Sequence, residues 1–201
     1  MQQLNENPWF SMWLSPRKTI RYIVEKNPKM GFYFLSSIWF LQLFFLSYSY
    51  AEIRLPFHPL IPVIIAVILS PIIGGVSFYF FSWILSFTGR WLKGKASHMN
   101  LQSAFAWSRI PCIIDFIMWV ILFASVIELI FVQKISLPSL FFISFISSIT
   151  SIWSFVLLVI TVQELQQFSL TKALVNVILT YIIILAILMF VSAIYYKIIL
   201  A

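Results

Sequence analysis

Residues 60–88 read LIPVIIAVILSPIIGGVSFYFFSWILSFT, and no Asp, Glu, Lys or Arg occurs among them. A helix crosses about 30 Å of hydrocarbon with about 20 predominantly apolar residues, so the stretch is longer than one span requires. A barrel strand would be about 10 residues of alternating polarity, and nothing here alternates. The reading is a membrane-spanning helix, and the rest of the chain repeats it. Charge is also absent between Met30 and Ala51, from Ile135 to Gln163 and from Ala173 to Tyr196. A fifth apolar stretch, roughly Ala104 to Ile127, is interrupted by Arg109 and Asp115.

Composition agrees. Hydrophobic residues make up 62% of the 201 and charged residues 9%, with a mean hydropathy of +1.00. A soluble domain carries about 25% charged residues; with so few, a water-facing surface could not be covered. The expected fold is all-α: a polytopic helical membrane protein with five transmembrane helices near 31–50, 60–88, 104–128, 137–162 and 173–197. Residues 1–30 form a cytosolic amphipathic prelude, and 31–201 a single transmembrane domain. The first span begins near residue 31 and has no small-residue cleavage site after it, so it reads as an uncleaved anchor.

The net charge of +7 is topological and does not indicate nucleic acid as a partner. Arg17, Lys18, Arg21, Lys26 and Lys29 precede the first span, Arg90, Lys93 and Lys95 lie between the second and third, and Lys172 between the fourth and fifth. Only Arg54, Lys134 and Lys197 fall on the other side. The positive-inside rule places the N-terminus in the cytosol and the C-terminus outside, as an odd number of spans requires.

Within the prelude, Ser15-Pro16 reads as a helix N-cap and first helical position and Asn27-Pro28 as its end. Ile20, Ile23 and Val24 share one face; Arg17, Lys18, Arg21 and Glu25 share the other. With Trp9, Phe10, Met12 and Trp13 just before it, this segment reads as a short amphipathic helix in the membrane interface, its basic face toward anionic headgroups. The alternative is a charged flank that only sets topology.

Pro71 with Gly74-Gly75 is expected to break the second span in its middle, with a kink near the membrane centre, because proline removes a helical hydrogen bond and clashes with the preceding turn. Asn100 can cap the third span and Pro111 should kink it. Kinked helices in lipid need neighbours for their freed carbonyls, so these two spans are expected to pack together. Ser144, Ser147, Ser151 and Ser154, at spacings of three, four and three, place small residues on one face of the fourth span. Such a face suits close helix packing; a polar conduit is the other reading.

Asp115 carries the sharpest chemical signal. With a span entering near Ala104 it lies about 16 Å deep at 1.5 Å per residue, where a charge costs roughly 2.5–3.5 kcal/mol. Two readings stand: a carboxyl satisfied by a freed carbonyl or a neighbouring hydroxyl, and a group that holds or passes a proton. Arg109, about 240° away around a continuous helix, either snorkels to the cytosolic headgroups or pairs with Glu164. Glu128 falls at the outer interface. His58 and His98 fall on opposite sides of the membrane and share no ligand spacing, and Cys112 is the single cysteine. No metal, no cofactor and no enzyme is expected: the chain has no Walker loop, no paired-histidine motif, and no nucleophile elbow at Ser77.

The order of short motifs resembles a known family. Asn7-Pro8-Trp9 and Ser15-Pro16-Arg17 open the chain. Ala104-Phe105-Ala106-Trp107-Ser108-Arg109-Ile110-Pro111 follows a polar turn at Gly94, and Trp153-Ser154 leads to Phe168-Ser169-Leu170. Over about residues 8–198 the chain resembles the Yip domain family of five-span proteins, named for interaction with Ypt/Rab GTPases. The resemblance implies a cytosolic N-terminus, a polytopic bundle and, for eukaryotic members, trafficking roles with prenylated Rab partners. Only about 30 residues precede the first span, which suits the short bacterial-type relatives and a cytoplasmic membrane location. The function expected is that of a non-enzymatic integral membrane protein. It would bind membrane partners or lipids, copies of itself among them, and organise the bilayer or membrane trafficking locally. The alternative is a small permease or lipid flippase using kinked second and third spans around Asp115, since broken helices surround transporter sites.

Overall fold

A computed structural model describes residues 7–50, 60–132 and 137–199, and within these the side chains of 49–50, 124–132, 137, 139–140 and 198–199 are outside the description. Arg54, His58, Lys134 and the side chain of Glu128 therefore lie outside the described residues.

Among the described residues there are eight helices and no strand: α1 Pro8–Leu14, α2 Pro16–Lys26, α3 Phe32–Tyr50, α4 Leu60–Trp91, α5 His98–Ser108, α6 Cys112–Val132, α7 Leu137–Gln166 and α8 Leu170–Ile199. Three are long and apolar enough to cross a membrane by themselves, over Leu60–Trp91, Phe141–Gln166 and Leu170–Lys197. α5 and α6 make a fourth candidate as a pair bent by 47°. The apolar helix over Phe32–Tyr48 is shorter. The protein is an all-α, multi-pass integral membrane protein.

The prelude is two helices. Pro8 follows Asn7, whose Oδ1 accepts the Trp9 amide at 3.2 Å; Pro16 follows Ser15. In each case a proline occupies a position where a helix has no use for an amide hydrogen. α2 ends at Asn27, as its sequence indicates. The apolar face then departs from expectation. Met12, Ile20 and Ile23 are fully buried inside the protein, in one core with Phe78, Phe105, Trp107, Leu158 and Val162. Trp9 packs on Trp107 at 4.8 Å and edge-on to Phe34 at 5.5 Å, and Trp13 packs on the same core. The prelude's apolar residues face the bundle, where α2 packs on α5 and α7.

α4 is helical without interruption through Pro71 and Gly74-Gly75, so the chain is not divided into two helices there. A proline at 71 deprives the carbonyl of Val67 of its donor. Ser70 Oγ bonds that same oxygen at 2.9 Å, the kind of side-chain repair that keeps prolines tolerable in membrane helices. The glycines serve packing. A Cβ on Gly74 would stand 2.3 Å from the backbone oxygen of Ser36, whereas one on Gly75 would meet only Tyr33 and Phe32 ring atoms at 3.7 Å or more. Thus α4 lies against α3 with backbones in contact.

The third span does break. α5 is capped by Ser97, whose Oγ accepts the Asn100 amide at 3.2 Å, so Asn100 lies inside the helix. The chain leaves the helix at Arg109 and resumes at Cys112. Tight-turn bonds satisfy the freed groups: Arg109 N to Ala106 O at 3.0 Å, Cys112 N to Arg109 O at 3.0 Å and Ile114 N to Pro111 O at 3.0 Å. α4 packs on α3, α5 and α8, and α6 packs on α3 and α7; the expected pairing of second and third spans is made by α5.

Candidate functional site

Three helices meet at Asp115, which is 1% exposed. The break at Arg109–Pro111 puts it in the first turn of α6, where the helix dipole favours a carboxylate. A continuous helix from Ala104 would instead have placed it in mid-helix. From α3, Gln42 Nε2 donates to Oδ2 at 2.9 Å. From α7, Thr150 Oγ1 donates to Oδ2 and Ser147 Oγ to Oδ1 at 3.2 Å. Both carboxyl oxygens are engaged, and every donor is neutral. Gln42 Oε1, also buried, has no partner among the described residues. Beneath this group lies a small apolar cluster of Leu41, Phe45, Ala66, Trp119 and Ile143.

The serine face of α7 is only partly the one read from spacing. Ser147 reaches Asp115, and Ser154 Oγ lies 3.8 Å from Cys112 Sγ. Ser151 is exposed, and Thr150 takes the buried position between them. Sequence reasoning passed over Gln42 and Thr150. The available signal was a lone amide in the charge-free stretch 31–50, since polar groups inside a span seek one another.

Arg109 neither snorkels nor pairs with Glu164. Its guanidinium sits 4.5 Å over the Phe105 ring, and Nη2 donates to the Tyr181 hydroxyl at 2.8 Å. A cation over an aromatic face is stabilised by the ring quadrupole, and the turn at Arg109 aims the side chain inward. Pro111 stands in that turn. Glu164 is taken by Arg21 of α2, and Arg17 Nη2 donates to Gln163 Oε1 at 2.9 Å. The Glu164 carboxylate raises the Arg21 pKa, through the hydrogen bond first and charge attraction second. Because the Arg21 side chain is largely open to water, Arg21→Gln is expected to leave the thermal unfolding midpoint unchanged within error, as for most exposed ion pairs. A large drop in a melting experiment would show that this pair holds α2 in place.

A second buried polar group joins α4 to α8: Thr88 Oγ1 donates to Asn176 Oδ1 at 2.7 Å and lies 2.9 Å from Thr180 Oγ1. Nearby, Gln166 Oε1 accepts the Ala96 amide at 3.0 Å. The turn before α5, the end of α7 and helix α2 thus meet at one end of the bundle. Lys18, Arg17 and Arg21 are exposed there, with Phe10 and Leu14 at 73% and 84% exposure on α1.

Compared with protein families, the sequence matches the Yip1 domain over residues 10–193. The chain belongs to the Yip1 domain family. No curated protein and no solved structure matches it. The matched Yip1 domain begins inside α1 and ends in α8, so it takes in the basic N-terminal helices, the Asp115 group and the Arg109–Pro111 turn together. Membership and the long apolar helices fit a membrane-associated, non-catalytic role and contact with the lipid bilayer.

Proposed function

We propose that this Yip1 domain protein is a non-enzymatic five-span scaffold. It binds membrane partners or lipids at its cytosolic end and organises the membrane locally, with its N-terminus in the cytosol. One observation carries the reading. The N-terminal helices are anchored on the bundle by Met12, Ile20 and Ile23, and they present Phe10, Leu14, Arg17 and Lys18 outward. Apolar anchors beside cations suit an anionic membrane surface or a partner resting on it. The positive-inside rule supports the orientation, because the end that gathers Arg17, Lys18 and Arg21 is the basic one. For the first span, α3 has 19 residues, or about 28 Å of helix at 1.5 Å each, close to the hydrocarbon thickness. In a bacterium the location is the cytoplasmic membrane.

Asp115 serves in this reading as a tie between α3, α6 and α7. Trp9 and Trp13 hold α1 to the bundle, and Pro71, Gly74 and Gly75 shape the α3–α4 contact. A permease or flippase would need Asp115 exposed to a path at some stage of its cycle.

The test is crosslinking in native membranes, mild solubilisation and identification of the proteins and lipids that co-purify. The combined variant Phe10→Ala, Leu14→Ala, Lys18→Glu is expected to lower co-purification about tenfold or more, since truncating an interface anchor costs above about 1 kcal/mol. These side chains are exposed, so the fold survives. Deleting the whole prelude would remove core residues and test nothing. Unchanged co-purification would sink the proposal.

A further inference from the structure

A groove of about 600 Å³ opens on the flank of the bundle between α3, α4 and α5, within the range of about 300–1,000 Å³ usual for small-molecule sites. Its two ends differ in chemistry. At one end lie Lys29, in the turn before α3, and His98, the first residue of α5. The His98 ring stands edge-on to Tyr79 at 4.8 Å, with Nε2 3.4 Å from Ser82 Oγ. At the other end the wall is Pro71, Ile72 and Val76. Eight residues of α4 separate Tyr79 from Pro71, which is about 12 Å of helix. Between them the floor is Gly75. A Cβ there would stand at ordinary contact distance, 3.7 Å from the nearest Tyr33 ring atom, so no clash requires glycine here, and a larger side chain would take up space in the groove.

Among the described residues no Asp or Glu lines this groove. A groove between α2 and α7 has a different charge balance. There Arg17 and Arg21 line the wall beside Glu25 and Glu164, and both guanidinium groups are engaged by Gln163 and Glu164. The Lys29 groove pairs a cation and an N–H-bearing ring with an apolar trough. Those are the complements of a negatively charged headgroup and of an acyl chain.

We propose that this groove binds one anionic phospholipid, with its phosphate at Lys29 and His98 and an acyl chain laid over Gly75 along Ile72 and Val76. Lys29 stands three residues before the start of α3 at Phe32, so the charged end of the groove opens where headgroups lie. On the cytosolic side, those headgroups are the anionic ones. The inference rests on the proposed lipid-binding function and names a site for it that is separate from the α1–α2 surface.

The experiment uses the full chain purified in mild detergent and equilibrated with vesicles of equal parts phosphatidylcholine and phosphatidylglycerol. The protein is then repurified, and retained lipid is counted by native mass spectrometry. Wild type is expected to keep phosphatidylglycerol in preference to phosphatidylcholine, at about one per chain. Lys29→Gln is expected to lower phosphatidylglycerol retention about fivefold, the effect of one interfacial cation, and to leave phosphatidylcholine unchanged. Gly75→Leu fills the trough and should lower both; Gly75→Ala, which meets only ordinary contacts, provides a folded intermediate case with a smaller loss. Equal retention of the two lipids by wild type, or wild-type retention by Lys29→Gln and Gly75→Leu, overturns the site. So does displacement of phosphatidylglycerol by millimolar inorganic phosphate alone, or a Gly75→Leu effect confined to the oligomeric state. Partner co-purification measured on the same samples separates the two proposals. If it still depends on Phe10, Leu14 and Lys18 while the groove fails, the scaffold reading stands without this site.

Discussion

Gly74→Ala is expected to destabilise the protein by about 1–3 kcal/mol, the usual cost of forcing extra atoms into a packed contact. The new methyl would lie 2.3 Å from the Ser36 carbonyl oxygen and 2.6 Å from its carbon. Those are backbone atoms of a neighbouring helix, so relief requires α3 and α4 to part along their length. Glycine at this position allows the close approach that holds membrane helices together by dispersion and polar contacts. Gly75→Ala is the control one residue away. It gains helix propensity of up to about 1 kcal/mol and meets only ordinary contacts. Thermal unfolding in detergent should therefore rank Gly75→Ala at or above wild type, with Gly74→Ala well below both. Equal midpoints for the two variants would mean that α3 and α4 do not touch at Ser36.

The second large effect is at Asp115. Asp115→Ala removes the acceptor for two buried donors, Gln42 and Thr150, and the half-buried Ser147, on two other helices, and each orphaned buried polar group costs about 1–3 kcal/mol. Not all of that will be felt, because Thr150 also reaches the Ser147 carbonyl at 3.1 Å. A net loss of about 2–3 kcal/mol is expected. Asp115→Asn should cost under about 1 kcal/mol. Its amide can donate to hydroxyls that turn round, and Gln42 can present the Oε1 that lacks a partner. A double-mutant cycle with Thr150→Val should give a coupling of about 1–2 kcal/mol, toward the upper end of membrane hydrogen bonds. A coupling near zero would show that the carboxylate does not tie α6 to α7.

Much of this architecture is legible in the chain. Charge-free runs mark the long helices, Ser15-Pro16 and Asn27 bound α2, and Pro111 marks the break in the third span. Most of the differences share a physical cause: the partner that decides a residue's role lies on a neighbouring helix, beyond the reach of spacing along the chain. Pro71 is different, since its compensation is local: α4 continues through it, and Ser70, its immediate neighbour, donates to the Val67 carbonyl that the proline leaves without its amide. Gly74 reads as a helix breaker in isolation and as a packing residue once Ser36 is opposite it. Arg109, on a continuous helix, has only headgroups or Glu164 to seek; the turn carries it to Tyr181 and Phe105, rings that periodicity cannot place nearby. Asp115 stands out in the sequence by its charge alone. Its partners Gln42 and Thr150 are 73 and 35 residues away, and no spacing rule connects them.

The basic prelude gives the same lesson with a functional consequence. Ile20 and Ile23 do form an apolar face, but the bundle covers it, so the surface left for partners is Phe10, Leu14, Arg17 and Lys18. The decisive measurement compares crosslinked co-purification from native membranes for wild type, Asp115→Asn and the combined variant Phe10→Ala, Leu14→Ala, Lys18→Glu. The scaffold account predicts that Asp115→Asn keeps the wild-type set of proteins and lipids while the combined variant loses it. The reverse pattern, loss with Asp115→Asn and retention with the surface variant, would contradict the account and move the active part of the molecule to the carboxylate.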